Sequence, residues 1–351
     1  MKKSILLNFE LMKFQNTGLF HFDKSLGNAL ISQNNKNIDL TIYSDHKSLK
    51  YFNNQAIKLV SSLKTKLFFW KYKKYNLVHF TNQYCRLSFK YFSCPKVVTI
   101  HDLNQLHEPQ IKTNKLKKHL RKLKKKIDTA DRVVAISNFV ATDIATFFPE
   151  AEKKIKVIYN GADKLNVKES HQPKYLPTKL FLFAIGFLSP KKNFHTLPAL
   201  LIGNNYELII AGIETSYKEI ILNEAKKYDC LDRVTITGTI TDDDKAWYYK
   251  NCSAFLFPSI AEGFGLPVIE AMYFGKPVFL SKYTSLPEIG GDAAFYFNSF
   301  DPNDMQATFT KGIETYKQES WKEKIMLHAS KFNWDDTAKQ YLALYKELMF
   351  E

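Results

Sequence analysis

The sequence predicts an α/β protein of two units, each a parallel sheet with helices on both faces. Three observations lead there. The chain has 351 residues, and domains run to about 100–200 residues each, which makes two. Short apolar runs alternate with helical patterns twice over, and a polar stretch with two prolines, 164–177, reads as the linker between the two series. Charge is split the same way. Residues 1–165 hold 30 Lys and Arg against 12 Asp and Glu, a net +18, and the rest of the chain is net −3.

The first series predicts strands at 4–9, 39–43, 77–80, 97–101, 132–136 and 156–159. The second predicts strands at 180–185, 206–211, 233–237, 254–258, 277–281 and 294–297. Strands alternating with helices argue a parallel sheet in each unit, and two such units imply a cleft where ligands sit. The tail has apolar residues at Ala338, Tyr341, Leu342, Leu344, Tyr345 and Leu348, an amphipathic helix packed on a domain surface. The domain reading is therefore 1–165, 166–332, and a closing helix at 333–351.

Other classes are excluded. Apolar residues at 45% supply enough core to rule out a disordered chain, and 13 Gly with 12 Pro are too few for a fibrous one. Lys2 and Lys3 ahead of Ile5-Leu6-Leu7 imitate a signal peptide, but Glu10 interrupts the run and no small-residue cleavage site follows. That segment is expected to be a buried strand. No apolar run reaches the roughly 18 residues of a membrane span. Cys85, Cys94, Cys230 and Cys252 show no metal-ligand spacing and are expected to be reduced thiols.

The most informative segment is 257–272, FPSIAEGFGLPVIEAM. It follows a predicted strand. Gly263 and Gly265 let a ligand approach the backbone, and Pro267 suits the first turn of a helix. The loop would present free backbone N–H groups at a helix N-terminus, an anion site. Glu262 and Glu270, with seven residues between them, can accept hydroxyl hydrogen bonds, as a sugar or ribose requires. A second segment, 185–193, IGFLSPKKN, puts Lys191 and Lys192 after another strand, where two cations can neutralise a diphosphate. A third, 97–103, VVTIHDL, places His101 at the C-terminal edge of a strand, facing the cleft, with Asp102 orienting the loop. Each also has an ordinary structural reading: a tight turn, a solvated charge pair, a capping histidine.

Together these segments resemble the retaining, nucleotide-sugar-dependent glycosyltransferases of family 4, group 1, with the GT-B fold. The resemblance extends to Val157-Ile158-Tyr159-Asn160-Gly161, Gly275-Lys276-Pro277-Val278, residues 285–291 and Phe332-Asn333-Trp334. It implies two Rossmann-like domains facing across a cleft, with the closing helix packed back on the first. It implies that Glu270 holds ribose hydroxyls and Glu262 donor-sugar hydroxyls. The amides of Gly263, Phe264, Gly265 and Leu266 would bind sugar hydroxyls and phosphate oxygens. His101 would contact the donor sugar, and Lys192, with Lys191 partly replacing the family's usual arginine, would face the diphosphate. Many relatives carry an arginine directly after the glycine where this chain has Phe187, which leaves open which lysine meets which phosphate. Gly18, in 16–22, is what remains of the family's glycine-rich loop near phosphates and acceptor. The motif style is that of bacterial surface-polysaccharide mannosyltransferases, so GDP-mannose leads as donor, with UDP-hexoses next.

No cofactor or metal is implied: no DxD precedes a suitable strand end, and Asp242–Asp244 is read as an acidic loop after Gly238. The expected partners are the nucleotide-sugar donor and a saccharide or lipid-linked acceptor, with no nucleic acid. The stretch 112–126 carries nine Lys and Arg in fifteen positions, with Leu116, Leu120, Leu123 and Ile127 at helical spacing. With the aromatic-cationic run 64–75 it suggests peripheral contact with an anionic membrane from the cytoplasmic side. Three other readings are weighed. A nucleotide-sugar epimerase or a phosphorylase on the same fold would share these motifs. A nucleic-acid-binding protein would account for the +18 front half, but it lacks a zinc-finger or RNP signature and leaves Glu262–Glu270 unexplained.

Overall fold

The structure, a computed structural model, describes the chain apart from residues 1, 16, 35–37, 53–57, 61–73, 107–113 and 351. It divides into two compact units, Met1–Gly161 with Phe332–Glu351, and Ala162–Lys331.

Among the described residues the front unit holds seven strands: β1 (Lys3–Asn8), β2 (Ile38–Tyr43), β3 (Lys58–Val60), β4 (Leu77–Phe80), β5 (Lys96–Ile100), β6 (Arg132–Ala135) and β7 (Ile155–Val157). They are parallel, in the order β3-β2-β1-β4-β5-β6-β7. Ile5, Leu6 and Leu7 are all fully buried, because a parallel sheet is covered on both faces and its central strands read as continuous apolar runs. Helices α1 (Gly18–Gln33), α2 (Asn114–Thr129) and α3 (Asn138–Phe147) lie between strands. Thr17 caps α1 by accepting from Phe20 N, and Ser137 caps α3 by accepting from Val140 N.

The back unit holds β8 (Phe181–Ile185), β9 (Glu207–Ala211), β10 (Val234–Gly238), β11 (Ala254–Phe257), β12 (Val278–Leu280) and β13 (Phe295–Tyr296). These are again parallel, in the order β10-β9-β8-β11-β12-β13. Its helices are α4 (Tyr217–Lys227), α5 (Asp242–Asn251), α6 (Leu266–Tyr273), α7 (Leu286–Gly290), α8 (Pro302–Tyr316) and α9 (Glu319–Ser330). Counted within each unit, both sheets run 3-2-1-4-5-6, with a seventh strand added in front. The chain reverses its winding between the first and fourth strands, and ligands of such sheets bind at the carboxyl ends of those strands.

All twelve expected strands occur, their ends moved by at most two residues. The unexpected one, β3, is a three-residue strand that among the described residues lies at the sheet edge and pairs with β2, too short to show a period. The segment 164–177 is no free linker. It is strapped to the back unit through His171 Nε2 to Asp244 (2.8 Å), Lys174 Nζ to the Thr237 carbonyl (2.6 Å) and Tyr175 OH to Glu207 (2.9 Å). Its polar side chains are partners for the buried acids Asp244 and Glu207 and for a backbone carbonyl.

The last helix, α10 (Trp334–Phe350), packs on α1 in the front unit and buries Ala338, Tyr341, Leu342, Leu344 and Tyr345. Its tyrosines are tied to the sheet. Tyr345 OH meets His79 Nδ1 (2.7 Å), His79 Nε2 meets Thr99 Oγ1 (2.8 Å), and Thr99 Oγ1 meets Tyr341 OH (3.0 Å). Burial pushes His79 down to about 3, so this chain of hydrogen bonds is uncharged.

Candidate functional site

In the back unit the residues after β8 and β11 come together at the sheet's reversal point. After β8 a 3-10 turn, Pro190–Lys192, ends on Asn193 in the left-handed region (φ 58°). The Lys191 carbonyl accepts from Ile260 N (2.8 Å) and Ser259 Oγ (3.0 Å), which sews the lysine turn to the loop after β11. Lys192 Nζ forms an ion pair with Glu262 and lies 4.7 Å from the centre of the Phe257 ring. Their side chains are only 13% and 15% exposed. The pair is thus largely desolvated, where Coulomb attraction is stronger than at the surface. The ends of β8 and β9 nearly touch here. A Cβ at Gly212 (φ 141°) would fall 1.8 Å from the Gly186 carbonyl oxygen, so only glycine fits.

The loop 258–265 is braced by the turn after β12. Glu262 N donates to Thr284 Oγ1 (3.0 Å), and Ser285 Oγ donates to the carbonyls of Glu262 (3.1 Å) and Phe264 (3.2 Å). Gly265, with φ 107°, ends the loop and leads into α6, and Pro267 stands in its first turn as expected. Gly263 and Gly265 are buried, Leu266 is half-buried, and the Phe264 side chain points into the core at 3% exposure. Phe264 can therefore offer a ligand its main chain alone.

Glu270 is the fifth residue of α6. Its Oε1 accepts from Lys245 Nζ (2.9 Å) and its Oε2 from Tyr249 OH (3.0 Å). Burial disfavours the Lys245 charge, but Glu270 and Asp242 outweigh it and hold the ammonium above its ordinary range. Burial and the Glu270 charge both push the Tyr249 phenol up, so it stays a donor. Lys245 and Tyr249 escaped the sequence reading; a lysine and a tyrosine four apart inside a helix carry no sequence mark of a site. Asp242–Asp244 correct it: they are the first turn of α5, where carboxylates favour the positive helix end. Thr241 and Asp244 cap that helix reciprocally.

In the front unit His101 follows β5. Its Nε2–H donates to the Thr81 carbonyl (2.8 Å), and its ring meets Phe22 edge-on at 4.5 Å. A carbonyl only accepts, so Nε2 carries the proton and Nδ1 keeps its lone pair. Burial pushes His101 down to about 4. Gln83 fixes the backbone: its Oε1 accepts from His101 N (3.1 Å) and its Nε2 donates to the Asp102 carbonyl (2.9 Å). Asp102 Oδ1 accepts from Asn104 N (3.3 Å), the loop-orienting part expected of it. Gly18 opens α1, and a Cβ there would meet nothing within 4 Å; the front unit itself does not require glycine at 18.

Of the run 112–126, the described residues form the start and middle of α2. Leu123 and Ile127 are buried and Leu116 and Leu120 half-buried. Two of its cations have structural work. Lys126 Nζ donates to the carbonyls of Gln83 (2.6 Å) and Cys85 (2.7 Å), and Lys124 pairs with Asp128 and Glu150. Lys117, Lys118, Arg121, Lys122 and Lys125 are exposed. The aromatic-cationic run is outside the described residues from 64 to 73, as are 112 and 113. The four cysteines are free, and burial raises Cys85 and Cys252 to about 12.

Two family models divide the chain as the fold does. "Glycosyltransferase Family 4" matches residues 34–164 and "Glycosyl transferases group 1" matches residues 167–326. The chain belongs to the family 4 glycosyltransferases. Among relatives of this glycosyltransferase, O-antigen chain mannosyltransferase B of Escherichia coli is 26% identical over 273 residues, covering 72% of this chain and 70% of the relative. The serotype-specific mannosyltransferase WbdA of Escherichia coli is 30% identical over 233 residues, covering 60% of this chain; the match spans 28% of WbdA's own length. Among solved structures, Anabaena HepE in complex with UDP and glucose has a TM-score of 0.77 at 18% identity, covering 99% of this chain and all of that one. At that identity the likeness establishes the fold, GT-B. Among the described residues no three His, Cys, Asp or Glu group to hold a metal, and no helix is long and apolar enough to cross a membrane.

Proposed function

We propose that this glycosyltransferase moves a hexosyl unit from a nucleotide diphosphate sugar, GDP-mannose first, to a saccharide or lipid-linked saccharide of a bacterial surface glycan, with retention at the anomeric carbon. One observation carries the reading. The Lys191-Lys192 turn and the Glu262–Glu270 loop flank the reversal point of the back sheet, joined by the Lys192–Glu262 ion pair. The names of the mannosyltransferase relatives support mannose.

On this reading the back unit binds the donor and the front unit the acceptor. Breaking the bond from the anomeric carbon to the diphosphate leaves positive charge on the sugar and negative charge on the leaving group. Lys192, Lys191 and the N-terminus of α6 stabilise that leaving group electrostatically. The acceptor oxygen adds to the face the diphosphate leaves, and its proton passes to the departing phosphate oxygen. Glu262 binds donor hydroxyls; its pairing with Lys192 reduces its reach as a nucleophile. His101 offers Nδ1 as an acceptor to the donor sugar and stays neutral. No metal is needed. On this reading the enzyme works at the inner face of a membrane, to which the exposed cations of α2 would draw it by about 1 kcal/mol each.

The test is the product. Incubation with GDP-mannose and a short mannose-terminated acceptor, with excess EDTA, is expected to give an α-linked product by NMR with release of GDP. A β-linked product, or no transfer unless a divalent ion is restored, would contradict the mechanism.

A further inference from the structure

We infer that Lys245 is a positioning residue for the donor's ribose: with Tyr249 it occupies one lone pair on each oxygen of Glu270 and leaves a carboxylate shaped for a vicinal diol. The inference rests on the reading of Glu270 as the ribose-binding group.

A carboxylate has about four acceptor sites, two on each oxygen. In this enzyme Oε1 is engaged by Lys245 at 2.9 Å and Oε2 by Tyr249 at 3.0 Å. One acceptor site therefore remains on each oxygen. Two hydroxyl donors on adjacent carbons, the 2′-OH and 3′-OH of a ribose, match two parallel acceptors on one carboxylate. A single hydroxyl or a backbone amide would use only half of them.

The lysine does more than fill space. Glu270 and Lys245 are each 12% exposed at the side chain. A ligand laid over them removes the water that is left. A carboxylate covered in that way needs compensation from a fixed charge. Lys245 supplies it, and is itself held by Asp242 at 3.7 Å and by the Asp163 charge. The ammonium has three donors and compact geometry, so Glu270 is fixed from the α5 side and Tyr249 from one turn further along the same helix. Neither residue need touch the nucleotide. Each sets the direction in which Glu270 can accept.

The experiment compares binding of GDP and UDP with their 2′,3′-dideoxy forms, by calorimetry, to the wild-type enzyme and to Lys245→Met, Lys245→Arg and Glu270→Gln. The readout is the ratio of the two affinities for whichever nucleotide binds, which does not depend on how much of a variant is folded. The wild-type enzyme is expected to prefer the ribose form by about tenfold or more, the scale of hydrogen bonds to a charged acceptor. Lys245→Met is expected to bring the ratio within about threefold of one, and Lys245→Arg, which keeps the charge, to restore most of it. If Glu270→Gln keeps the wild-type ratio, the ribose reading of Glu270 falls and the inference with it. If Glu270→Gln loses the ratio while Lys245→Met keeps it, Glu270 binds ribose without help and the inference alone is overturned.

Discussion

In the front unit the candidate reactive group, His101, is held by uncharged partners: the Thr81 carbonyl, the Gln83 amide and the edge of Phe22. Behind it His79, Thr99, Tyr341 and Tyr345 form a second uncharged chain. In the back unit two candidate groups are held by formal charges: Lys192 by Glu262, and Glu270 by Lys245. The two units share a strand order, so topology does not dictate the difference. On the proposed function, the burden of each site does. A departing diphosphate brings negative charge and needs cations kept in place before it arrives, whereas a histidine that accepts a hydrogen bond must stay neutral, and burial among uncharged groups keeps it so.

The comparison breaks most visibly at Lys192. Lys192→Ala removes the cation and leaves Glu262 unpaired in a nearly buried site. A loss of about 10²–10³ in kcat/KM is expected, the scale of one electrostatic contact to a developing charge, measured by initial-rate kinetics. A loss no larger than that of an exposed lysine such as Lys118 would remove the charged half of the comparison.

The neutral half is sharpened by pH. His101 titrates about 4, well below an ordinary histidine. On the proposed function its neutral form is the working one, so a contribution to kcat/KM is expected at pH 7 and at pH 5 and is expected to disappear only towards pH 4. A break near 6.5 that vanishes in His101→Gln would show a solvated histidine instead.

A stability effect of about 1–2 kcal/mol is expected from Tyr345→Phe, which leaves His79 Nδ1 buried without its hydrogen-bond partner. Amide exchange of β4 and β5 is the measurement. The sign with pH follows from the same groups. His79 and His101 have lower pKa values folded than unfolded, so the native state binds fewer protons. Their contribution is complete above about 6.5 and is lost as pH falls towards about 4 for His101 and about 3 for His79. Each histidine adds a slope of roughly 1.4 kcal/mol per pH unit in that window. Protection that rises on acidification would contradict this.

The smallest effect belongs to the surface of α2. Lys122→Glu with Lys125→Glu is expected to weaken sedimentation with phosphatidylglycerol vesicles by about tenfold or more, at about 1 kcal/mol per cation removed. Transfer to a water-soluble acceptor should not change. Unaltered vesicle binding would leave α2 an ordinary solvated helix.

The sequence shows the sheets almost whole. Runs such as Ile5-Leu6-Leu7 and Phe181-Leu182-Phe183 suit strands buried on both faces, and their alternation with helical patterns points to a covered parallel sheet. Edge pairing is weakly encoded, and β3 was invisible for that reason. At the site, Glu262, Glu270, Lys191, Lys192 and His101 were legible because they follow strands and sit beside glycine or proline. Their supports were not. Thr284 and Ser285 brace a loop 22 and 21 residues away, Gln83 holds a backbone eighteen residues on, and Lys245 lies in a helix whose opening acids read as a loop. Such partners are chosen by the tertiary structure, and local pattern has no access to them.

The central claim is that a nucleotide sugar binds between the lysine turn and the Glu262–Glu270 loop. Calorimetry with GDP-mannose, UDP-glucose, UDP-galactose and UDP-N-acetylglucosamine on the wild-type enzyme, Lys192→Ala and Glu270→Ala tests it directly. The account predicts that one donor binds, GDP-mannose first, and that each variant weakens it by about tenfold or more. Binding that both folded variants leave untouched, or no binding of any donor to the folded wild-type enzyme, would contradict it.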